Sequence, residues 1–207
     1  MSEPDSAAPY VPDSQSLAVL KKAAAHCEGC ELYRRATQTV FGEGKRGARV
    51  MLVGEQPGDK EDRAGRPFVG PAGTLLRDAI EESGLGTSVY ITNAVKHFNF
   101  VERGKRRIHA KPKVIHIRAC EPWLEAEVDA VSPRLIIALG ATAMRAVFGR
   151  DLGVGEYRGR VMESVFGLPG FATIHPSAIL RVRESEEREL EFARFVKDLT
   201  QANRSIA

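Results

Sequence analysis

The strongest constraint on the fold is a set of four short apolar runs separated by helical patterns. The runs are Arg49–Glu55 (RVMLVGE), Val89–Val95 (VYITNAV), Leu135–Gly140 (LIIALG) and Phe171–His175 (FATIH). Each is rich in β-branched, aliphatic or aromatic residues and ends in small or polar ones, as buried parallel strands do. The helical patterns fall between them. Ala72–Ser83 follows a Gly-Pro start and stops before Gly84. Val114–Val131 carries Ile117, Trp123, Leu124 and Val128 at helical spacing, with Pro122 placed to kink or split it. Ala141–Phe148 is short, and Glu184–Ala202 is highly charged. Strands alternating with helices predict an α/β fold: a three-layer α/β/α sandwich around a central, mainly parallel four-stranded sheet. Residues 14–36 read as one helix with Ser14 or Ser16 as cap. Residues 154–170 read as a small added hairpin, and residues 1–13, rich in Pro, Ser and Asp, as a loose tail before a single domain over residues 14–207.

In open parallel sheets ligands bind beyond the carboxyl ends of the strands. Glu55 and Gln56 follow the first run, Asn93 lies near the end of the second, and His175 ends the last. That convergence directs attention to one end of the sheet. The formal charge, +3, permits nucleic-acid binding without demanding it. No run approaches the length of a membrane span, and the first residues lack a basic stretch followed by an apolar one. The expectation is a cytoplasmic, monomeric protein with no membrane partner. Three cysteines are too few and odd in number for a disulfide scaffold. Cys27 and Cys30 form a Cys-x-x-Cys pair, with Cys120 far downstream, and this spacing suits zinc or an iron–sulfur cluster equally well.

Four further segments carry chemistry. Gly54-Glu55-Gln56-Pro57-Gly58-Asp59 is a tight turn bearing two carboxylates, and Gly65-Arg66-Pro67-Phe68-Val69-Gly70-Pro71-Ala72-Gly73 sets an aromatic ring before a helix. Val101–His109 is a basic loop with Lys105, Arg106 and Arg107 in a row. In His175-Pro176, the proline restricts the backbone of the histidine. GxxxxGK(S/T) is absent, which argues against a nucleotide-binding α/β enzyme of the P-loop kind.

In this order, GEQPGD…GRPFVGPAG, TNAVKH and HPSAILR, with the cysteine pair upstream, the chain resembles the iron–sulfur uracil-DNA glycosylases from Cys27 to Arg181. The resemblance implies that uracil-containing DNA, single- or double-stranded, is the substrate. It implies that Phe68 stacks on an extruded uracil, that Asn93 and Gln56 meet its edge, and that His175 bonds a carbonyl gaining charge. Ser177, Leu180 and Arg181 would then contact DNA, Leu180 and Arg181 as a wedge. The third cysteine usual in that family is replaced here by His97, a departure shared with the UdgX branch. This implies a 4Fe-4S cluster on Cys27, Cys30, His97 and Cys120, with His26 and His116 as competing fourth ligands. The Lys105–His109 segment resembles the KRRIH insertion of the same branch, in which a histidine captures the sugar covalently. His109 is then the expected nucleophile, Glu55 its orienting carboxylate, Asp59 a stabiliser of the sugar cation, and Lys105, Arg106 and Arg107 phosphate contacts. Glu55 or Gln56 would exclude thymine. Two alternatives remain: an ordinary turnover glycosylase, and a non-catalytic zinc-containing nucleic-acid-binding protein.

Overall fold

The computed structural model describes residues 6–206. In chain order the elements are α1 (Leu17–Ala24), β1 (Glu43–Gly44), β2 (Val50–Gly54), α2 (Asp59–Ala64), α3 (Pro71–Glu82), β3 (Val89–Asn93), β4 (Phe100–Arg103) and β5 (Arg106–His109). Then come α4 (Val114–Val131), β6 (Leu135–Leu139), α5 (Ala141–Phe148), α6 (Val154–Tyr157), β7 (Val161–Glu163), β8 (Pro169–Thr173), α7 (Pro176–Ile179) and α8 (Ser185–Arg204). The main sheet runs β1-β3-β2-β6-β8-β7, and its inner four strands are parallel. These are the four predicted runs. The two edge strands, β1 and β7, are antiparallel additions.

The layers follow from the two-residue period of a strand. Val50 and Leu52 of β2, with Leu135, Ile137 and Leu139 of β6, face α3 and α8. Met51 and Val53, with Ile136 and Ala138, face α4 and α5. Every one of these side chains is fully shielded. Full burial of an aliphatic side chain stabilises by about 1.5–3 kcal/mol, so both sheet faces contribute to holding the layers together. The register aligns Gly54 with Asn93 and Leu139 with Thr173, bringing the carboxyl ends of all four strands to one edge.

Several expectations are corrected. The helix over residues 14–36 stops at Ala24 and is followed by a separate 3-10 turn at Glu31–Arg34. The His26 and Cys27 N–H groups donate to the Ala23 and Ala24 carbonyls, which tightens the helix end. Gly29 then passes so near Ala7 that a side chain there would lie 2.6 Å from the Ala7 Cα. Of the tail expected over residues 1–13, the first five lie outside the described residues. The rest is seated on α4: Ala7 is buried and its N–H donates to the Ala119 carbonyl at 2.7 Å. Pro122 does not divide α4, because burial of Cys120, Trp123 and Leu124 along one helix outweighs one missing hydrogen bond. The hairpin expected over residues 154–170 is β7 turning back onto β8, preceded by α6. The basic segment is no loop but a two-stranded hairpin, β4–β5, turning at Gly104 with φ 59°.

One buried ion pair ties α4 to the sheet. Lys96 Nζ lies 2.5 Å from Glu127 Oε2, and both side chains are shielded from water. Lys96 also donates to Thr92 Oγ1 and to the Asn93 carbonyl at 2.6 Å, while Glu127 accepts from Tyr90, Thr92 and the Gly42 N–H. Breaking such a pair from one side strands the other charge. Lys96→Met is expected to destabilise by about 3–5 kcal/mol, read from urea denaturation; a loss below about 1 kcal/mol would contradict this account.

Candidate active site

The chain passes from β2 to β3 on one side and then crosses to β6 on the other. Such a reversal opens a crevice at the carboxyl ends of β2 and β6. A cleft of about 660 Å³ lies there, lined by Glu55, Phe68, Asn93, His109, His175 and Arg181 among others. Residues up to 126 positions apart in sequence (55 to 181) thus share one wall system.

Its floor is built by close backbone approach. A Cβ on Gly54 would collide with Asn93 Oδ1 and lie 2.6 Å from the Phe68 ring, so only glycine lets these two side chains converge. Phe68 itself adopts φ 54°, a conformation costly for a bulky residue. It is held there by Arg77, which donates to the Phe68 carbonyl at 3.0 Å, and by Gly73, where any Cβ would overlap that same oxygen. The Phe68 ring is stacked against His175, centroids 5.8 Å apart. Asn93 is buried, with its carbonyl fixed by Lys96 and its side chain turned to the cleft.

Two histidines enter with different electrostatics. His175 Nδ1 accepts the Ser177 N–H at 3.1 Å, which leaves the proton of the neutral ring on Nε2. Burial pushes its pKa down to about 4, against the pull of Glu55, so the ring is a neutral donor at physiological pH. His109 Nε2 lies 3.2 Å from Glu55 Oε1 and is nearly half exposed. Glu55 also accepts a short hydrogen bond from Thr142. Burial works to raise the Glu55 pKa, but the hydrogen bonds from His109 and Thr142 prevail and hold it below the usual carboxylate range.

Some expected residues are used otherwise. Arg107 does not face outward with its neighbours. It bonds Asp59 at 2.5 Å, Asp62 at 2.7 Å and Thr37 Oγ1 at 3.0 Å, and lies over the Phe98 and Phe100 rings. Alternation along β5 puts Arg107 and His109 on one face, so the arginine that looks free to meet phosphate instead clamps the hairpin to α2. Asp59 is correspondingly committed to Arg107 and Arg63 and is absent from the cleft lining. Gln56 borders the cleft, but its amide donates to the Asn99 and Ala110 carbonyls at 3.0 and 3.1 Å and accepts the Asn99 N–H. It braces the two ends of the hairpin rather than offering its amide to a ligand. Lys105 and Arg106 are exposed at the hairpin tip. Ser177 lines the cleft beside His175, whereas Leu180 is exposed and lines a neighbouring cavity instead.

The three cysteines are buried between the N-terminal segment and α4. Cys27 and Cys30 act electrostatically on the Cys120 thiol, and burial pushes that thiol up to about 12. Cys120 Sγ accepts the Lys96 N–H at 3.3 Å, so the chain leading into His97 passes over this sulfur. His97 is buried, with Nε2 2.8 Å from Thr39 Oγ1. Both nitrogens of His116 are engaged, Nδ1 by the Lys113 N–H and Nε2 by Glu31, and His26 is exposed. Among the described residues no three His, Cys, Asp or Glu side chains have the spacing of a single-ion site.

Two positions carry no sign of their role in the motifs. Thr142 follows β6 at a strand end, where the same rule that found Glu55 points. Glu61 accepts the Gly58 and Gly70 N–H groups at 3.1 and 2.7 Å, pinning the turn after β2 to the loop that carries Phe68. Nothing local marks it.

Comparison with known proteins agrees with this geometry. The family profile described as Uracil DNA glycosylase superfamily matches residues 41–200. A Type-4 uracil-DNA glycosylase of Thermotoga maritima is 37% identical over 166 residues, 79% of this chain and 83% of the relative. A Type-4 uracil-DNA glycosylase of Saccharolobus solfataricus is 33% identical over 193 residues, 86% of each. A Type-4 uracil-DNA glycosylase of Pyrobaculum aerophilum is 37% identical over 166 residues, 75% of this chain and 80% of the relative. With a strand-end cleft that gathers an aromatic ring, a buried amide and a neutral histidine, these matches identify the chain as an enzyme that belongs to the uracil-DNA glycosylase superfamily.

Proposed function

We propose that this glycosylase excises uracil from DNA and is then captured by its own product, through a bond from His109 to the sugar. The observation that carries this reading is His109, delivered by the β4–β5 hairpin to the cleft that holds His175 and Asn93, with its Nε2 on Glu55. An extruded deoxyuridine stacks on Phe68, and the Asn93 amide bonds the polar edge of the base. The bond between C1′ and the uracil nitrogen breaks with its electron pair passing into the base. The His175 Nε2–H bonds the carbonyl that gains the charge, an interaction that strengthens as the bond breaks. The sugar is left electron-poor at C1′. His109 donates its Nε2 proton toward Glu55 and keeps the lone pair of its other nitrogen for attack. A nitrogen–carbon bond then forms, and Glu55 balances the imidazolium charge. Lys105 and Arg106, free at the hairpin tip, supply phosphate contacts, joined by Arg181 from the opposite rim.

The test is direct. Incubated with a uracil-bearing oligonucleotide, the protein should yield a band that resists boiling in detergent. Repeated uracil release without that band would instead support ordinary turnover.

We also assign Cys27, Cys30, Cys120 and His97 as the ligands of a 4Fe-4S cluster. Soft thiolates fit iron–sulfur chemistry. The Trp123 indole N–H, buried without a partner in the apolar cluster of Cys27 and Cys120, is a donor awaiting a sulfur acceptor. With Thr39 on its Nε2, His97 keeps Nδ1 for a metal. The cluster would supply a cross-link between the N-terminal segment, the β3–β4 connection and α4. The purified protein should be brown with broad visible absorbance, and Cys120→Ser should lose the colour and melt at lower temperature. A colourless native protein containing stoichiometric zinc would overturn the cluster.

A further inference from the structure

A second cavity, of about 620 Å³, lies next to the cleft in the groove between α3 and α8. The two are separated only by a ridge made of the Phe68–Gly70 segment and α7. Phe68 turns to the cleft and Val69 to the groove; Ser177 and Arg181 border the cleft, Ile179 and Leu180 the groove. The groove and the cleft therefore open on either side of the same ridge.

We propose that this groove is a subsite for the nucleobase next to the uracil on the same strand. Its floor is apolar and carries one aromatic ring: Leu75 and Phe192 are partly buried against the core, and Ile179 is fully so. Its rim holds two cations, Lys60 and Arg188, and two anions, Asp78 and Glu189. A rim of balanced charge gives a phosphate no net attraction, whereas an apolar floor with an exposed ring face suits the flat face of a base. Stacking of this kind tolerates any base, so the groove would secure the strand without adding sequence preference. The backbone that delivers uridine into the cleft must cross the α7 ridge, and the neighbouring nucleotide descends on its far side. Leu180, exposed on the crest, separates the two bases.

This assignment rests on the cleft being where uracil is read, and it does not depend on covalent capture. Uracil release is therefore scored under single-turnover conditions, across protein concentrations. The substrates are single-stranded oligonucleotides in which the nucleotide 5′ or 3′ to the uracil carries either a base or a baseless tetrahydrofuran. Phe192→Ala should raise the half-saturating concentration about five- to tenfold on the intact strand, leaving the maximal rate unchanged. Removing the neighbouring base on one side should weaken the native protein equally. Combining the two changes should cost nothing more, because both delete one contact. Phe192→Leu, which keeps apolar bulk for the fold, should show the same non-additivity. Independent, additive losses would overturn the proposal, as would an unaltered half-saturating concentration in Phe192→Ala. A duplex arm, with the baseless residue opposite uracil, checks the source: an effect confined to that arm would refute the same-strand assignment. His175→Ala, run alongside, reports on the cleft itself. Normal excision by that variant would remove the reading on which the subsite stands.

Discussion

Replacing His109 with Ser is expected to abolish the denaturation-resistant adduct altogether while uracil continues to be released. The shorter side chain withdraws the imidazole from C1′ and leaves room for a water. Glu55, relieved of its 3.2 Å partner but still bonded to Thr142, can then orient that water. If capture by His109 limits the native protein to one event per molecule, as proposed, the variant should turn over, and uracil released per protein should rise above one. The measurement is a denaturing gel beside quantification of free uracil. An adduct of unchanged mobility and yield in His109→Ser would show that another residue makes the bond. Glu55→Gln keeps the size of the side chain but removes the charge that balances an imidazolium, so it should slow adduct formation while retaining some of it.

Replacing His175 with Ala is expected to slow excision by about 10²–10³-fold, the usual consequence of deleting one preorganised donor to a developing anion. The loss should appear in the single-turnover rate far more than in substrate affinity, since the bond strengthens as the leaving group gains charge. The native protein adds a pH signature. His175 titrates near 4 in the fold, against an ordinary value of 6.5. No loss of rate from its protonation should be seen between pH 8 and 5. The same depression fixes a sign for stability. The unfolded chain takes up the proton first, so the contribution of His175 is complete above 6.5 and is lost as pH falls toward about 4. An excision rate that falls by half near pH 6.5, and does so only while His175 is present, would contradict the buried neutral ring.

Much of the architecture is legible in the sequence because burial on both faces leaves a compositional mark. The runs that form β2, β3, β6 and β8 have no room for a charged side chain, and α4 and α5 match their predicted bounds. The strand-end rule likewise singles out Glu55, Asn93 and His175 from their positions in the chain. The hairpin is less legible. Lys105, Arg106 and Arg107 are equivalent as a run of cations, and they become different only when residues 100–109 pair as strands, which turns Arg107 inward with His109. Gln56 misleads for a related reason. A side-chain amide beside a cleft looks like a reader of bases, but the backbone groups of Asn99 and Ala110 claim it first. The helix expected across residues 14–36 stops at Ala24, ahead of the cysteine pair, where His26, Gly29 and the cysteines are poor helix formers and the chain turns to bring Gly29 against Ala7.

What the chain determines by itself is whatever is written at short range: the two-residue and 3.6-residue periods, the glycines that permit close approach, and the side chains left at strand ends. Those repeats specify elements and layers, because burial of a face depends only on nearby spacing. What the tertiary structure alone decides is which charges meet. Glu55 finds His109 across 54 positions, Lys96 finds Glu127 across 31, and Arg107 finds Asp59 across 48. No local pattern encodes these partners, since each depends on how the crossovers and the hairpin lie over the sheet.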